Sequence, residues 1–518
     1  MKKFVLILLA LIAFAKLTNA QVSTIFGYDK EIVLPAMNEY VRLIGADSDG
    51  FYALRIDEKD ALHLDFYNNT SMSRENSNQL ILPMLGGMQS EYVEMFYLDS
   101  KLILFFQVVD NTRKEKTLYI QHVNRTGQVI GEATAIGKLT NQNMSVDFHV
   151  ELMDNQQNIF VYYHRPFQTY NEEPFFFKVY DPDMREIYNN IVKLPLVNQD
   201  FEIEQIKIAN SGNVYMLARV SPDPRQLKRM KTIIYDYKLL YFNVSAGTVK
   251  DVDIKGKKHV LVDAIIGVDE EENIDIFGFM VRKGKTDYEG IFHQKYNPTT
   301  ETFVTGDSKK ADYVFSKTEV PEFRAPHLAK NYSELYNYKL IDVLHLSNGG
   351  SAVIAEHQNH WVDSIVVPGT KEILYNDYYR FNDVLVAYCS PENNMEWMTR
   401  IPKTQYSYND LGQFSSIASF AIGEKIFVFY NDNAKNVKLL QNSELNGYNI
   451  KELASPSRRG VSVAISIFSD GKMHGDLLFT KKNKKFRIMP EFFKDFNGRH
   501  YIYTQSGTKV KFGMFVGR

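Results

Sequence analysis

Two histidines at metal-binding spacing, His357 and His360, stand in the run EHQNH that begins at Glu356. Imidazoles three residues apart can hold a metal ion when they share one face of a helix. Here they end a strand-like run, and side chains three positions apart on a strand point to opposite faces of the sheet. We therefore assign no metal site to this pair.

The acidic run DSDG at 47–50 resembles the first four positions of a calcium-binding loop. Such a loop needs an oxygen ligand at its fifth position and glycine at its sixth. Phe51 and Tyr52 occupy those positions. The sequence therefore predicts a hairpin turn, in which aspartate and glycine are favoured for their backbone conformations.

Motifs for catalysis are missing from the sequence. It has no nucleophile elbow, no phosphate-binding P-loop, no zinc HExxH and no Rossmann glycine pattern. We therefore predict no catalytic residue and no cofactor, and we favour a non-enzymatic protein. A pair of glycosidase carboxylates stays open, because its members can come from distant parts of the chain.

Tyrosine marks the predicted interaction surface, because its ring is amphipathic and is enriched at protein interfaces. The long connections between strands are rich in it: Tyr170, Tyr235, Tyr237, Tyr375, Tyr378, Tyr379, Tyr406, Tyr408 and Tyr448. The predicted interaction face takes all of these except Tyr408 and adds His360, Trp361, Lys481, Lys482, Lys484 and Lys485. The lysines suit anionic lipid or an acidic protein patch. A solvated cluster that protects a sheet edge is the equal alternative.

The elements that position these residues belong to a structural unit that is repeated along the sequence. Tight polar turns, each followed by an aromatic or aliphatic strand, recur along the whole chain. The strands after these turns include Tyr52, Ile103, Phe160, Tyr215, Ile276, Val353, Phe427 and Tyr501. The intervals are long enough for four strands each, labelled A to D, which is typical of propeller blades. The sequence predicts an all-β, eight-bladed propeller, with seven blades as the alternative.

The two ends of the chain are predicted to share one blade. The last unit supplies three strands, and a strand within about 22–34 precedes the first complete unit. That strand can complete the last blade and close the ring, which removes an exposed sheet edge. Two β domains in tandem are the competing architecture, with a linker at 308–336.

The lengths of the connections between strands predict that one face of the ring carries nearly all the long connections, and we call it the decorated face. In an antiparallel meander the A–B and C–D turns share one face, and the B–C and D–A connections share the other. The long inserts, at 220–237, 308–336, 360–381 and 432–458, all fall in the second set. Long loops are uncommon unless they are functional, so we place the binding surface there, with neutral loop elongation as the alternative. Residues 222–231 and 329–336 are predicted to be short helices.

The first twenty residues are predicted to be a secretory signal peptide. Lys2 and Lys3 precede an apolar run at 4–15, and small residues favour cleavage before Gln21. That run is too short to span a bilayer, which takes about 20 residues. Residues 21–518 then form one propeller domain. The single cysteine, Cys389, can make neither an internal disulfide nor a lipid anchor beside the cleavage site. Export and the net charge of −2 argue against a nucleic-acid partner.

Four stretches of the C-terminal third carry a resemblance to a known group: 382–401 (NDVLVAYCSPENNMEWMTRI), 402–405 (PKTQ), 425–436 (KIFVFYNDNAKN) and 501–512. They resemble uncharacterised exported proteins of Bacteroidetes-type Gram-negative bacteria. The resemblance implies a propeller-like repeat and an envelope location, and no activity. We expect a protein-interaction module in the periplasm or at the outer membrane, peripheral to the membrane. Its expected partner is an envelope protein, such as an outer-membrane β-barrel of a secretion complex that it would serve as accessory or plug. A propeller that binds or cleaves glycan is the alternative.

Overall fold

The computed structural model describes most of the chain. The described residues are 23–26, 32–33, 39–140, 145–153, 156–164, 173–196, 201–221, 235–254, 259–282, 288–304, 306, 312–315, 337–442, 444–446, 449–479 and 484–516. The predicted signal peptide at 1–20 and the predicted helices at 222–231 and 329–336 lie outside these residues.

The strands follow one another in eight antiparallel sheets, which we number as blades in chain order. Two short strands come first, β1 (Ser23–Phe26) and β2 (Ile32–Val33). Blade 1 contains β3 (Glu39–Ala46), β4 (Gly50–Ile56), β5 (Leu62–Asn68) and β6 (Arg74–Gln79). Blade 2 contains β7 (Met84–Leu85), β8 (Met88–Leu98), β9 (Lys101–Asp110), β10 (Glu115–Val123) and β11 (Val129–Thr140). Blade 3 contains β12 (His149–Leu152), β13 (Ile159–His164), β14 (Glu173–Tyr180) and β15 (Glu186–Leu194).

The middle of the chain forms the next two blades. Blade 4 contains β16 (Phe201–Ile208), β17 (Val214–Val220), β18 (Asp236–Asn243) and β19 (Thr248–Ile254). Blade 5 contains β20 (His259–Val268), β21 (Ile274–Arg282), β22 (Tyr288–Asn297), β23 (Thr302–Val304) and β24 (Tyr313–Val314).

The last third forms three blades. Blade 6 contains β25 (Tyr338–His345), β26 (Ser351–Val366), β27 (Ile373–Cys389) and β28 (Met395–Tyr408). Blade 7 contains β29 (Ala418–Ile422), β30 (Lys425–Asp432), helix α1 (Ala434–Gln441), β31 (Leu453–Ala454), β32 (Val461–Ile467) and β33 (Met473–Leu477), although β31 pairs with β28 of blade 6. Blade 8 contains β34 (Arg487–Ile488), a 3-10 turn (Pro490–Phe492), β35 (Lys494–Phe496), β36 (Arg499–Ser506) and β37 (Lys509–Val516).

The hydrophobic core is divided among the gaps between blades. The described residues include eight clusters of buried apolar side chains, and each cluster joins two consecutive blades, including blade 8 with blade 1. Sheets that pack in this order, each on the next and the last on the first, form a closed ring. The protein is therefore an eight-bladed β-propeller, and the prediction of eight blades is confirmed.

The ring is closed by the two ends of the chain. Strand β1 pairs antiparallel with β37, and Ser23 lies opposite Val516. Strand β2 pairs with the beginning of the same strand. The N-terminal segment thus supplies the fourth strand of blade 8, as predicted, and covers an edge that would otherwise expose unpaired backbone groups.

In the innermost strands, a β-bulge recurs from blade to blade, and a polar side chain after it can bond to the next blade. Blades 1, 2, 4, 5 and 6 have a β-bulge in this strand. After the bulge of blade 4, Gln205 Oε1 accepts a hydrogen bond from the backbone N–H of Ile266 in blade 5, at 2.8 Å. After the bulge of blade 5, Asp263 Oδ2 accepts one from the N–H of Leu340 in blade 6, at 3.2 Å. Bulges re-aim side chains, and here they link neighbouring blades around the axis.

The lengths of the connections confirm the predicted asymmetry between the two faces. The A–B and C–D turns are all short, and the longest of them is 153–158. The long connections fall between B and C or between D and A. One prediction about them is wrong: 360–381 is not a loop, because β26 and β27 continue through it and turn only at 367–372. Insert 432–458 contains α1 and β31, whereas 220–237 and 308–336 lie mainly outside the described residues.

Helices contribute little to the described part of the chain. Helix α1 is capped by Asn433, whose side chain accepts a hydrogen bond from the Lys435 backbone N–H. No helix within the described ranges has the length and apolar character needed to cross a bilayer.

Candidate functional site

The B and C strands of blade 6 extend beyond the ring as a paired β-hairpin on the decorated face. We call residues 358–381 the arm. Its strands stay in register along their length, from Gln358 opposite Phe381 to Val366 opposite Ile373. Strand β28 continues beside the root of the arm as far as Tyr408. The arm is therefore an ordered extension of a blade.

Local sequence explains why the arm is a hairpin. Its tip reads Val367-Pro368-Gly369-Thr370, and the Thr370 N–H donates to the Val367 carbonyl at 3.0 Å. Proline followed by glycine favours a type II turn, and Gly369 has the positive φ of 82° that this turn requires. The nearest strand residues, Ile365 and Val366 before the turn and Ile373 and Leu374 after it, are β-branched or aliphatic, which favours extended backbone. A Pro-Gly pair between such runs was the sequence signal for this hairpin.

One face of the arm carries a row of aromatic rings across three strands. Trp361 on β26 stacks on Tyr378 on β27, with ring centroids 5.3 Å apart and planes 11° apart. Tyr378 in turn lies 5.2 Å from Tyr408 and 6.3 Å from Tyr406 on β28. The Arg380 guanidinium lies over the Tyr406 ring at 5.4 Å. We call these five residues the aromatic row. Cross-strand aromatic pairs and cation–π contacts stiffen the arm at its root.

The other face and the tip expose apolar side chains. His360 stacks on Tyr379 at 4.5 Å, and its Nε2 lies 2.9 Å from Asp377 Oδ1. Beyond this pair, Val366 is 60% exposed and Tyr375 is 66% exposed. Other exposed apolar residues of the tip are Val362, Ile365, Ile373 and Leu374. The tip thus exposes apolar side chains on both faces of a projecting element.

A buried polar network anchors the arm to the ring. Lys403 Nζ on β28 forms an ion pair of 2.6 Å with Glu356 Oε1 on β26, and both side chains are fully buried. Gln358 Nε2 donates to the second Glu356 oxygen at 2.9 Å, and Lys403 also donates to Gln405 Oε1. Burial lowers the pKa of Lys403, although Glu356 opposes that shift. The pair ties the first and last strands of the arm's root together.

Blade 7 supports the arm from the side. Strand β31 pairs parallel with β28, with Leu453 opposite Gln405 and Ala454 opposite Tyr406. Just before α1, the Asp432 carboxylate is buried, and this burial raises its pKa to about 7. Its Oδ1 accepts a hydrogen bond from Asn436 at 2.8 Å. The insert of blade 7 therefore covers the edge of β28.

The structure brings six of the predicted interaction residues together on or beside the arm: His360, Trp361, Tyr375, Tyr378, Tyr379 and Tyr406. Tyr235 lies on blade 4, where Arg219 covers its ring at 4.4 Å. Lys484 and Lys485 are exposed in the connection before blade 8. Tyr170, Tyr448, Lys481 and Lys482 lie outside the described residues.

The prediction that Tyr237 belongs to the interaction face is wrong. It is only 4% exposed and belongs to the apolar cluster between blades 4 and 5. The predicted insert 220–237 ends inside β18, so Tyr237 is a strand residue whose ring points into the gap between blades. It therefore cannot contribute to a surface, and burial raises the pKa of its hydroxyl.

A second group of residues has the outline of a catalytic triad. His293 Nε2 lies 2.8 Å from Asp275 Oδ1, and its Nδ1 lies 3.2 Å from Cys389 Sγ. Cys389 is 1% exposed, and burial raises the pKa of its thiol. A reactive thiol needs the opposite, a lowered pKa and access to substrate. We interpret the group as core packing between blades 5 and 6, and the sequence gave no signal for it because its members come from three strands.

The two histidines at metal-binding spacing have separate partners. His357 Nδ1 lies 3.0 Å from Asn382 Nδ2, whereas His360 contacts Asp377. In the part of the chain that the structure describes, no cluster of three metal-ligating side chains is present. The turn at Asp47 is the predicted hairpin turn, in which its Oδ1 accepts the N–H groups of Asp49 and Gly50.

A cavity lies near the ring axis, bounded by the innermost strands of blades 8, 1, 2 and 3. It measures about 490 Å³, and its lining includes Arg42, Glu94 and Glu151. At the undecorated face, Gln156 of blade 3 donates to the Asp495 carbonyl at 3.2 Å and accepts from the Asn497 N–H at 2.8 Å. The turns of blades 3 and 8 are therefore in contact with each other at the undecorated face of the ring.

Comparisons with known proteins find similarity to solved structures only. No family model and no curated protein matches the chain. The polysaccharide lyase Uly1 aligns at 10% identity over 84% of this chain and 94% of its own, with a TM-score of 0.37. The WD40 domain of SCAP from fission yeast aligns at 8% identity over 95% and 99%, with a TM-score of 0.35. An α-L-arabinanase of Penicillium chrysogenum aligns at 9% identity over 74% and 98%, with a TM-score of 0.29. Similarity at this level carries no argument about function.

Proposed function

We propose that the protein is a non-enzymatic, exported propeller that docks onto another protein of the cell envelope through the arm. The observation that carries the proposal is the apolar tip, where Val366 and Tyr375 are among the most exposed apolar residues of the described chain. Exposed apolar side chains that are gathered on one element, rather than scattered singly, mark an interaction site. The ring does not need this surface, because the arm lies outside the eight inter-blade clusters.

The composition of the arm favours a protein partner. Tryptophan, tyrosine and arginine are the residues that most often dominate the energy of protein interfaces, and the aromatic row contains all three. Its cross-strand contacts hold these side chains in place before binding, which lowers the entropy lost on association. The free edges of the two-stranded tip also offer backbone groups to a partner strand.

The proposed location is the periplasm or the outer membrane, with which the protein would be associated. The predicted signal peptide supports export, and the resemblance to exported Bacteroidetes-type proteins supports an envelope location. The concrete form of the proposal is an accessory or plug of an outer-membrane secretion barrel. The apolar tip would insert into a complementary apolar surface of that complex, with the ring remaining peripheral.

Affinity capture from solubilised envelopes tests the proposal. The double variant Val366→Ser/Tyr375→Ser removes apolar surface from the tip without touching the ring. Ile191→Ser is the matched control, because Ile191 is equally exposed but lies on the outer strand of blade 3. We expect wild type and Ile191→Ser to recover the same partner and the tip variant to lose it. Recovery of the protein alone, or equal recovery by all three, contradicts the proposal.

A second candidate is a propeller that binds or cleaves glycan. The exposed Trp361 and the carboxylates around the axial cavity favour it. Glu94 is engaged by Arg42 and accepts a hydrogen bond from the Met95 N–H at 2.7 Å, so both of its oxygens already have partners. A glycan array with a panel of chromogenic glycosides tests this candidate. Turnover of a glycoside would replace the docking proposal, whereas binding without turnover would leave a non-enzymatic propeller with a sugar site.

A further inference from the structure

The axial cavity belongs to a longer cleft. A second cavity of about 340 Å³ shares Arg42 and Lys494 with it. A third cavity of about 380 Å³ shares His149 and Glu151 with it. Cavities that share lining residues in this way adjoin one another, and we call the three together the cleft. Each has the volume of a small-molecule site, and together they suit an elongated ligand.

One end of the cleft holds two neighbouring cations, Arg42 and Lys494, and its lining also includes the carboxylates of Glu491 and Asp495. The Arg42 guanidinium binds Glu94, but its Nε is buried without a hydrogen-bond partner. Among the described residues, no carboxylate lies within ion-pair distance of Lys494. Burial, and then the charge of Arg42, lower the pKa of Lys494. Two neighbouring cations, one lacking a counter-ion, form a site where an anionic group would be stabilised.

The other end of the cleft offers acceptors. Glu151 is exposed, and one of its oxygens accepts a hydrogen bond from the Tyr162 hydroxyl at 3.0 Å. His149 stacks on the Tyr162 ring at 4.8 Å and is also exposed. Ligand hydroxyl groups could donate to both side chains. A ligand with negative charge at every position would instead be repelled by Glu151.

We propose that this cleft binds an acidic sugar, with its carboxylate between Arg42 and Lys494 and its ring hydroxyls directed toward Glu151 and His149. A uronic acid has this combination of one carboxylate and several hydrogen-bond donors on one small ring. The site uses no residue of the arm, so it goes beyond the docking function.

Calorimetric titration of the purified full-length chain tests the proposal. D-glucuronate and its short oligomers are the probes, with glucose and inorganic phosphate as comparisons. We expect glucuronate to bind, glucose to bind at least tenfold more weakly, and Lys494→Gln to weaken glucuronate at least tenfold. Lys494→Arg keeps the charge and should retain binding. Lys484→Gln makes the same change of charge on an exposed loop and should bind like wild type.

Each other outcome is also decisive. Absence of glucuronate binding at millimolar concentration overturns the site, as does binding that Lys494→Gln leaves unchanged. Phosphate binding as tight as glucuronate, insensitive to Glu151→Gln, would show a simple anion site and overturn the sugar assignment. Thermal melts confirm that each variant is folded. The tip variant should keep glucuronate binding and Lys494→Gln should keep partner capture, so the two proposals fail separately.

Discussion

Two hairpins at equivalent places in the ring, one in blade 2 and one in blade 6, carry the same cross-strand aromatic stack in opposite environments. In blade 2, Phe106 on β9 stacks on Tyr119 on β10 at 5.4 Å, and Phe106 is fully buried against blade 1. In blade 6, Trp361 stacks on Tyr378 with nearly the same geometry but is 38% exposed. The same pairing thus serves the core in one hairpin and projects from it in the other.

The ends of the two hairpins explain the difference. The blade 2 hairpin ends in the polar turn 111–114, where Asp110 Oδ1 accepts the N–H groups of Thr112 and Arg113. The blade 6 hairpin continues with apolar residues to the turn at Pro368-Gly369. A hairpin as short as that of blade 2 is sufficient for a blade of the closed ring. We therefore infer that the additional length of the blade 6 hairpin has a role outside the ring.

The largest expected effect is on the buried stack. Phe106→Ala removes a fully buried ring and leaves a cavity between blades 1 and 2. We expect the free energy of unfolding to fall by about 4 kcal/mol. Urea denaturation followed by circular dichroism measures it. A loss below about 1 kcal/mol would show that blade 2 is not packed as the structure has it.

Substitution at the root of the arm should lower the free energy of unfolding by nearly as much. Glu356→Gln leaves the Lys403 charge buried without its counter-charge, so we expect a loss of about 3 kcal/mol. The double variant Glu356→Gln/Lys403→Met removes both charges and should recover most of that loss. Blade 2 offers an exposed contrast, a hydrogen bond in which Gln107 donates to Glu91 at 2.8 Å. Glu91→Gln should therefore cost no more than about 0.5 kcal/mol.

A dependence on pH should distinguish the support of the arm from the rest of the ring. Burial raises the pKa of Asp432 to about 7, above its usual value. The folded state therefore binds this proton more tightly, and the contribution of Asp432 to stability is lost as pH rises toward and through 7. Asp432→Asn should flatten the decline in unfolding free energy between about pH 4 and pH 7 relative to wild type. Identical slopes for the two proteins would place Asp432 in contact with water.

Only a small effect on stability is expected from substitution in the exposed stack. Trp361→Ala should lower the free energy of unfolding by less than about 1 kcal/mol, the range of a cross-strand pair at a surface. Urea denaturation beside Phe106→Ala measures the contrast directly. A loss as large as that of Phe106→Ala would mean that the aromatic row is part of the core.

Much of the fold could be predicted because its signals are local. Turns such as Asp49-Gly50 and Asn497-Gly498 mark the A–B connections of their blades, and the strand count at the two ends implied closure. The arm was misjudged as a loop, since the pairing of Trp361 with Tyr378 depends on register across a long hairpin. Tyr237 was misplaced because a strand boundary is only weakly marked in sequence.

The buried polar groups could not be predicted at all. The Lys403–Glu356 pair and the group around His293 each join residues from different strands, and the second also joins two blades. The residues next to Lys403 and Cys389 in the sequence do not indicate that these two side chains are buried. The cationic end of the axial cleft has the same origin, since Arg42 and Lys494 meet only where blades 8 and 1 close the ring.

Shortening the blade 6 hairpin to the form of blade 2 tests the central claim most directly. Residues 360–379 would be replaced by Asn-Thr-Arg-Lys, the turn of blade 2, so that Asn359 and Arg380 become the last pair. One preparation then serves for thermal unfolding and for partner capture from envelopes. We predict an unchanged melting transition and complete loss of the partner. Unfolding of the ring, or capture that persists without the arm, would contradict the account.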